Sequence, residues 1–144
     1  MPKCYLLALA SGSSLDRHSN NVTLFNLVEQ LNFPKERQPP PGTVLPLEIH
    51  AYFELDPEDV NRRFEVRYAL VATTGLETIT DVFSHRSTTP RYRTRTLGLP
   101  APPTAGSYTL CVDVREAGTE TWRRQANRWP LLVTELEPRP RVTH

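Results

Sequence analysis

What this sequence lacks first is an excess of charge of either sign. Its 17 lysines and arginines face 16 aspartates and glutamates, for a formal net charge of +1. So even a balance gives no whole-chain field to steer the molecule toward nucleic acid or an anionic membrane surface. Cysteine is nearly absent as well: only Cys4 and Cys111 occur, both in apolar, strand-like stretches. A chain of 144 residues is long enough to bury a core without covalent staples. The pair therefore reads as reduced thiols, with a disulfide left open only if the first and late strands face each other. No apolar run approaches the ~20 residues of a membrane helix. The opening Met1–Gly12 falls short of the ~15–30 residues of a secretory signal and reads instead as a buried first strand. The expected compartment is the cytoplasm, with no membrane partner.

Glycine is scarce at 6 residues, while proline is abundant at 14. Proline breaks helices and is confined to loops and strand edges, so the excess predicts many turns and few long helices. Lysine is almost missing: Lys3 and Lys35 stand alone and arginine supplies the rest of the positive charge. Arginine forks suit carboxylate or phosphate, but a compositional bias that also enriches Ala and Pro explains the count equally well.

What is present is strand periodicity. In Gly106-Ser107-Tyr108-Thr109-Leu110-Cys111-Val112-Asp113-Val114, Tyr108, Leu110, Val112 and Val114 share one face, and Thr109, Cys111, Asp113 and Arg115 the other. A turn, then Tyr, then alternating aliphatics is the pattern of a late sandwich strand whose tyrosine returns its hydroxyl to nearby backbone, a tyrosine corner. Residues 47–55 alternate as cleanly, with Leu47, Ile49, Ala51, Phe53 and Leu55 toward the core and Glu48, His50, Tyr52 and Glu54 outward. Residues 4–10 and 64–72 are further strands, 77–83 a weaker one, 92–97 an edge-like one, and 122–135 closes a hairpin. A polar turn is expected from Ser11 to Asn21, a proline-rich linker over 34–46, and a single helical turn at Asp56-Pro57-Glu58-Asp59. Residues 22–31 read as a strand, with a helix through Leu24, Leu27, Val28 and Leu31 as the alternative. The sum is an all-β chain: a single antiparallel β-sandwich of seven to eight strands, immunoglobulin-like, over residues 1–137, with a flexible tail at 138–144.

No constellation of residues spells a reaction. The sequence contains no Cys-x-x-Cys, no His-Glu-x-x-His, no Gly-x-Ser-x-Gly and no glycine-rich phosphate loop, so neither a metal, a cofactor nor a catalytic residue is expected. His18, His50, His85 and His144 lack ligand spacing. Cys111 in mid-strand reads as a small hydrophobe rather than a nucleophile. Asn21-Val22-Thr23 matches the glycosylation sequon, which matters only in a secreted chain. Arg91, Arg93 and Arg95 fall on one strand face, and Arg123, Arg124 and Arg128 lie between Trp122 and Trp129. Such mixtures bind single-stranded nucleic acid in some proteins, but they also occur as solvated edges that repel other sheets.

The run Asp16-Arg17-His18-Ser19-Asn20-Asn21-Val22-Thr23-Leu24-Phe25-Asn26-Leu27-Val28-Glu29, with the late Gly106-x-Tyr108-x-Leu110 strand, resembles an uncharacterised bacterial family, a domain of unknown function. The resemblance covers nearly the whole chain and rests on structural motifs. It implies an immunoglobulin-like sandwich and no established activity, cofactor or catalytic residue.

The reading that results is a non-enzymatic binding module for another protein or for a second copy of itself. Its candidate contact residues are His50 and Tyr52 on an outward strand face and Arg93, Arg95, Trp122 and Arg124 on the far side, since exposed aromatics and arginines make binding hot spots. Two alternatives stand beside it: nucleic-acid or anionic-ligand binding through the arginine-rich strand face, and an enzyme whose site is assembled in space.

Overall fold

The alternating segments become ten strands in a computed structural model that describes residues 1–40 and 42–137: β1 (Lys3–Leu15), β2 (Val22–Leu27), β3 (Gln30–Pro34), β4 (Val44–Glu54), β5 (Arg63–Ala72), β6 (Glu77–Ile79), β7 (Phe83–Arg86), β8 (Arg91–Pro100), β9 (Gly106–Glu116) and β10 (Arg123–Leu136). The tail expected over 138–144 lies outside the described residues. Among those residues the only helical pieces are 3-10 turns at Lys35–Arg37 and Pro57–Asp59. The second is the expected single turn, with Pro57 at its first position, where a missing N–H costs nothing.

Two sheets form. One has the order β2-β1-β4-β8 and is strongly curled; the other runs β3-β10-β9-β5-β6, with β7 also paired to β5. Every ladder is antiparallel except β3 with β10, which is parallel. Between the sheets lies one core, built from Leu9, Ile49, Ala51 and Phe53 of the curled sheet and Phe64, Val66, Tyr68, Leu70, Leu110, Val112 and Val114 of the other. Burial of each large side chain contributes about 1.5–3 kcal/mol. Tyr108 opens β9 as expected. Its hydroxyl donates to the Thr104 carbonyl at 2.7 Å and accepts from the Thr104 N–H at 3.3 Å, so the tyrosine corner is formed.

Several expectations need correction. The strands number ten rather than seven or eight because two segments split. Residues 22–31 are strand, not helix, but Asn26 takes a positive φ of 49° and the chain changes sheet just after it. The crossing is pinned: Val28 N–H donates to Leu9, Leu132 N–H to Glu29, and the Trp129 indole to the Val28 carbonyl. Likewise β6 and β7 divide the segment expected as a single strand at 77–83. The expected turn from Ser11 to Asn21 is confined to Asp16–Asn21, because β1 runs on to Leu15 and pairs with β2 after its pairing with β4 has ended. In agreement with expectation, Cys4 and Cys111 are unbridged: Cys4 belongs to the core, whereas Cys111 sits on the opposite face of β9 from Leu110 and Val112.

Candidate functional site

Strand β4 lies between β1 and β8, so its non-core residues face the outer surface of the curled sheet. They are not exposed. Glu48, His50 and Tyr52 are only 4%, 2% and 9% accessible, so the face expected to point outward does so but is covered, the candidates His50 and Tyr52 with it. The cause is the overhang of the β1–β2 hairpin. β1 parts from β4 after Ala10 faces Glu48, and its polar end, Gly12 to Leu15, continues with β2 as a flap over the outer face.

Two bonds hold the flap down. Ser13 Oγ donates to Glu48 Oε1 at 2.7 Å. At the hairpin tip, Asn20 adopts a positive φ of 59°, and its carbonyl accepts from Arg93 Nη1 at 2.7 Å. Asp16 shapes the same tip, its carboxylate accepting from the His18 N–H, which lowers its pKa from the ordinary value.

Under the flap, Glu48 organises the polar residues. Its carboxylate accepts from Ser13, from Arg95 Nη2 and, at 2.9 Å, from His50 Nε2. The Arg95 guanidinium, more than the other donors, holds the carboxyl down at about 2. An ionised carboxylate can only accept, so Nε2 of His50 carries the proton in this bond. With three donors on its oxygens, the carboxylate is a fixed support rather than a proton carrier.

Arg93 and Arg95 do not lie on the far side from His50 and Tyr52. They are their direct cross-strand neighbours: Tyr52 pairs with Arg93 and His50 with Arg95. The Arg93 guanidinium lies over the Tyr52 ring, 5.5 Å from its centroid, and Tyr5 meets that ring edge-on at 6.0 Å. Burial raises the Tyr52 hydroxyl pKa. Arg95 faces Glu48 and Arg91 faces Glu54, whereas Arg93 has no carboxylate partner among the described residues. Leu15, Val22, His50, Tyr52, Arg93 and Arg95 line a cavity of about 260 Å³ between flap and sheet. This is a mostly apolar recess with one uncompensated cation at its rim.

Trp122 and Arg124 are elsewhere, on the outer face of the other sheet. Trp122 is sandwiched between the guanidiniums of Arg67 and Arg115, 4.3 and 4.2 Å from its ring centroid. Arg124 binds Asp113, which is 2% accessible and also takes Arg67, and reaches Glu77 as well. Both residues form the cover over the centre of that sheet, where Cys111 is buried and its thiol pKa is raised by that burial. Four of the six candidate residues are thus brought together and two are not. The residues not selected from sequence are Ser13, Asn20 and Glu48. The pattern Glu48-x-His50 put the carboxylate and imidazole on one strand face, the one signal available for this cluster.

No protein-family model matches the chain, and no curated protein matches its sequence. Among the described residues no helix is long and apolar enough to cross a membrane.

Proposed function

We infer that the chain is a non-enzymatic binding module of immunoglobulin-like sandwich layout. Its recognition face is the β4–β8 surface at the rim of the flap, and its partner is another protein. The layout reading rests on the tyrosine corner at Tyr108, the parallel pairing of β3 with β10 and the passage of the chain between sheets at Val28. The resemblance carried by Asp16–Glu29 agrees with it, because those residues build the flap tip and the sheet switch and no reactive group. The observation that carries the functional reading is Arg93, a cation without a carboxylate partner among the described residues that is held over the Tyr52 ring by the Asn20 carbonyl. An aromatic–arginine pair that is ordered before a ligand arrives loses little side-chain entropy on binding. Glu54 and Glu48 beside Arg91 and Arg95 weaken the field that an anionic polymer would need.

The test is affinity capture of the tagged chain from its host lysate, with nuclease, comparing wild type with Arg93→Ala combined with Tyr52→Phe. A stoichiometric protein retained by wild type and lost by the variant is the expected result. A captured set that vanishes with nuclease, or that ignores the variant, refutes the reading.

A further inference from the structure

Strand β8 forms the outer edge of the curled sheet, paired only with β4. At ten residues it is the longest edge strand; β2, β3, β6 and β7 have six, five, three and four. Its hydrogen-bonding phase can be read from one bond. Leu55 N–H donates to the Pro90 carbonyl, directly opposite it in the register that faces Glu54 with Arg91. In an antiparallel ladder, alternate residues turn their N–H and C=O to the same neighbour. Tyr92, Thr94 and Thr96 therefore bond β4, and Arg91, Arg93 and Arg95 turn theirs to the open side. The Thr89 hydroxyl donating to the Arg91 carbonyl agrees with this phase. Among the described residues no backbone partner outside β4 meets Arg93 or Arg95.

The residues with open backbone groups are thus the same ones that carry the arginine stripe. Beyond them on that face comes Leu97, 67% exposed. A strand added here would bond Arg93 and Arg95 through its main chain and place its own side chains directly opposite their guanidiniums. A second copy of β8 would place arginines against arginines, and like charges directly opposite each other are destabilising. Carboxylates in those positions would be stabilised instead.

We propose that the β8 edge takes an extended acidic segment of a partner protein as an added antiparallel strand. That segment carries Asp or Glu at alternate positions opposite Arg93 and Arg95, and an apolar residue over Leu97. The proposal rests on the binding reading above and narrows it. Main-chain bonds supply affinity and the alternate side chains supply selectivity, as in other strand-addition sites.

The test uses the full wild-type chain and fluorescein-labelled peptides in fluorescence anisotropy. One peptide begins with Leu and continues with Val or Thr alternating with Glu, the order that an antiparallel strand needs to meet Leu97, Arg95 and Arg93 in turn; a second has the same composition with its glutamates in one block. Two more carry N-methyl groups, on the glutamate amides or on the intervening amides. The alternating peptide is expected to bind at least tenfold tighter than the block peptide. Methylation of the glutamate amides, which face β8, is expected to lower affinity at least tenfold, and methylation of the intervening amides less than about threefold. Any other methylation pattern overturns strand addition, as does absence of binding or equally tight binding of an oligothymidylate of the same charge. If a partner whose capture depends on Arg93 and Tyr52 is found while the alternating peptide fails, strand addition falls and the binding reading stands.

Discussion

Replacing Tyr108 with Phe removes a hydroxyl that both donates to the Thr104 carbonyl and accepts from the Thr104 N–H, at almost unchanged volume. The expected cost is about 1–2 kcal/mol, read as a lower urea midpoint at constant slope; an unchanged midpoint would mean that the corner contributes nothing. Glu48 gives a second test on the scale of one side chain. Its folded pKa of about 2 lies below the ordinary 4.5 because Arg95 and two other donors favour the carboxylate. The stabilisation is therefore complete above pH 4.5 and is lost as the pH falls toward 2. Glu48→Gln is expected to be less stable than wild type at neutral pH, with the two stabilities converging over that interval. A constant offset down to the lower limit would show that the ion pair is not the source. Single residues also mark where sequence reasoning stops. Tyr108 was legible because its role is local and has a turn-Tyr-aliphatic signature. The burial of His50 was not, because it depends on a flap contributed by residues far away in the chain.

Strands alternate legibly wherever one face is apolar and the other polar, which is why β4, β5 and β9 stand out in the sequence, although the polar faces of β4 and β9 are themselves covered. The end of β1 does not, since Ser11 to Leu15 overhang the sheet and carry no apolar period. Nor does the break after β2: the change of sheet turns on the positive φ of Asn26 and on carbonyls claimed by Leu132 and Trp129. The bend at the end of β8 is equally hidden. Gly98 has a φ of 115°, and a Cβ there would stand 2.6 Å from Val44 Cγ1, where the β4–β8 register slips between Leu45 and Glu48. Gly98→Ala should cost about 1–3 kcal/mol through backbone strain, seen as a lower thermal midpoint; a neutral result would deny that the slip needs this conformation. The cover of the second sheet can be tested separately. Trp122→Ala removes two guanidinium–ring contacts of about 0.5–1 kcal/mol each. It should lower stability and leave partner capture unchanged, and a variant of full stability that loses capture would move the recognition face to Trp122.

At the scale of the molecule, near-neutral charge hides a sorted surface. The outer face of the six-stranded sheet is closed by arginines locked to Asp113, Glu65 and Glu77. The β8 side presents Arg93 with no carboxylate partner among the described residues, together with an open backbone edge. Totals of charge could not reveal this, because pairing depends on register: the β4–β8, β5–β9 and β9–β10 ladders bring Arg91 to Glu54, Arg67 to Asp113, Arg115 to Glu65 and Arg124 to Asp113. The distinction between the two faces is the central claim, and site-specific photocrosslinking in the host tests it most directly. A benzophenone side chain at exposed Leu97 on the β8 edge is compared with one at Leu76, 62% exposed beside the other sheet. The account predicts a discrete protein adduct from position 97 and none from position 76. An adduct from position 76 alone would contradict it.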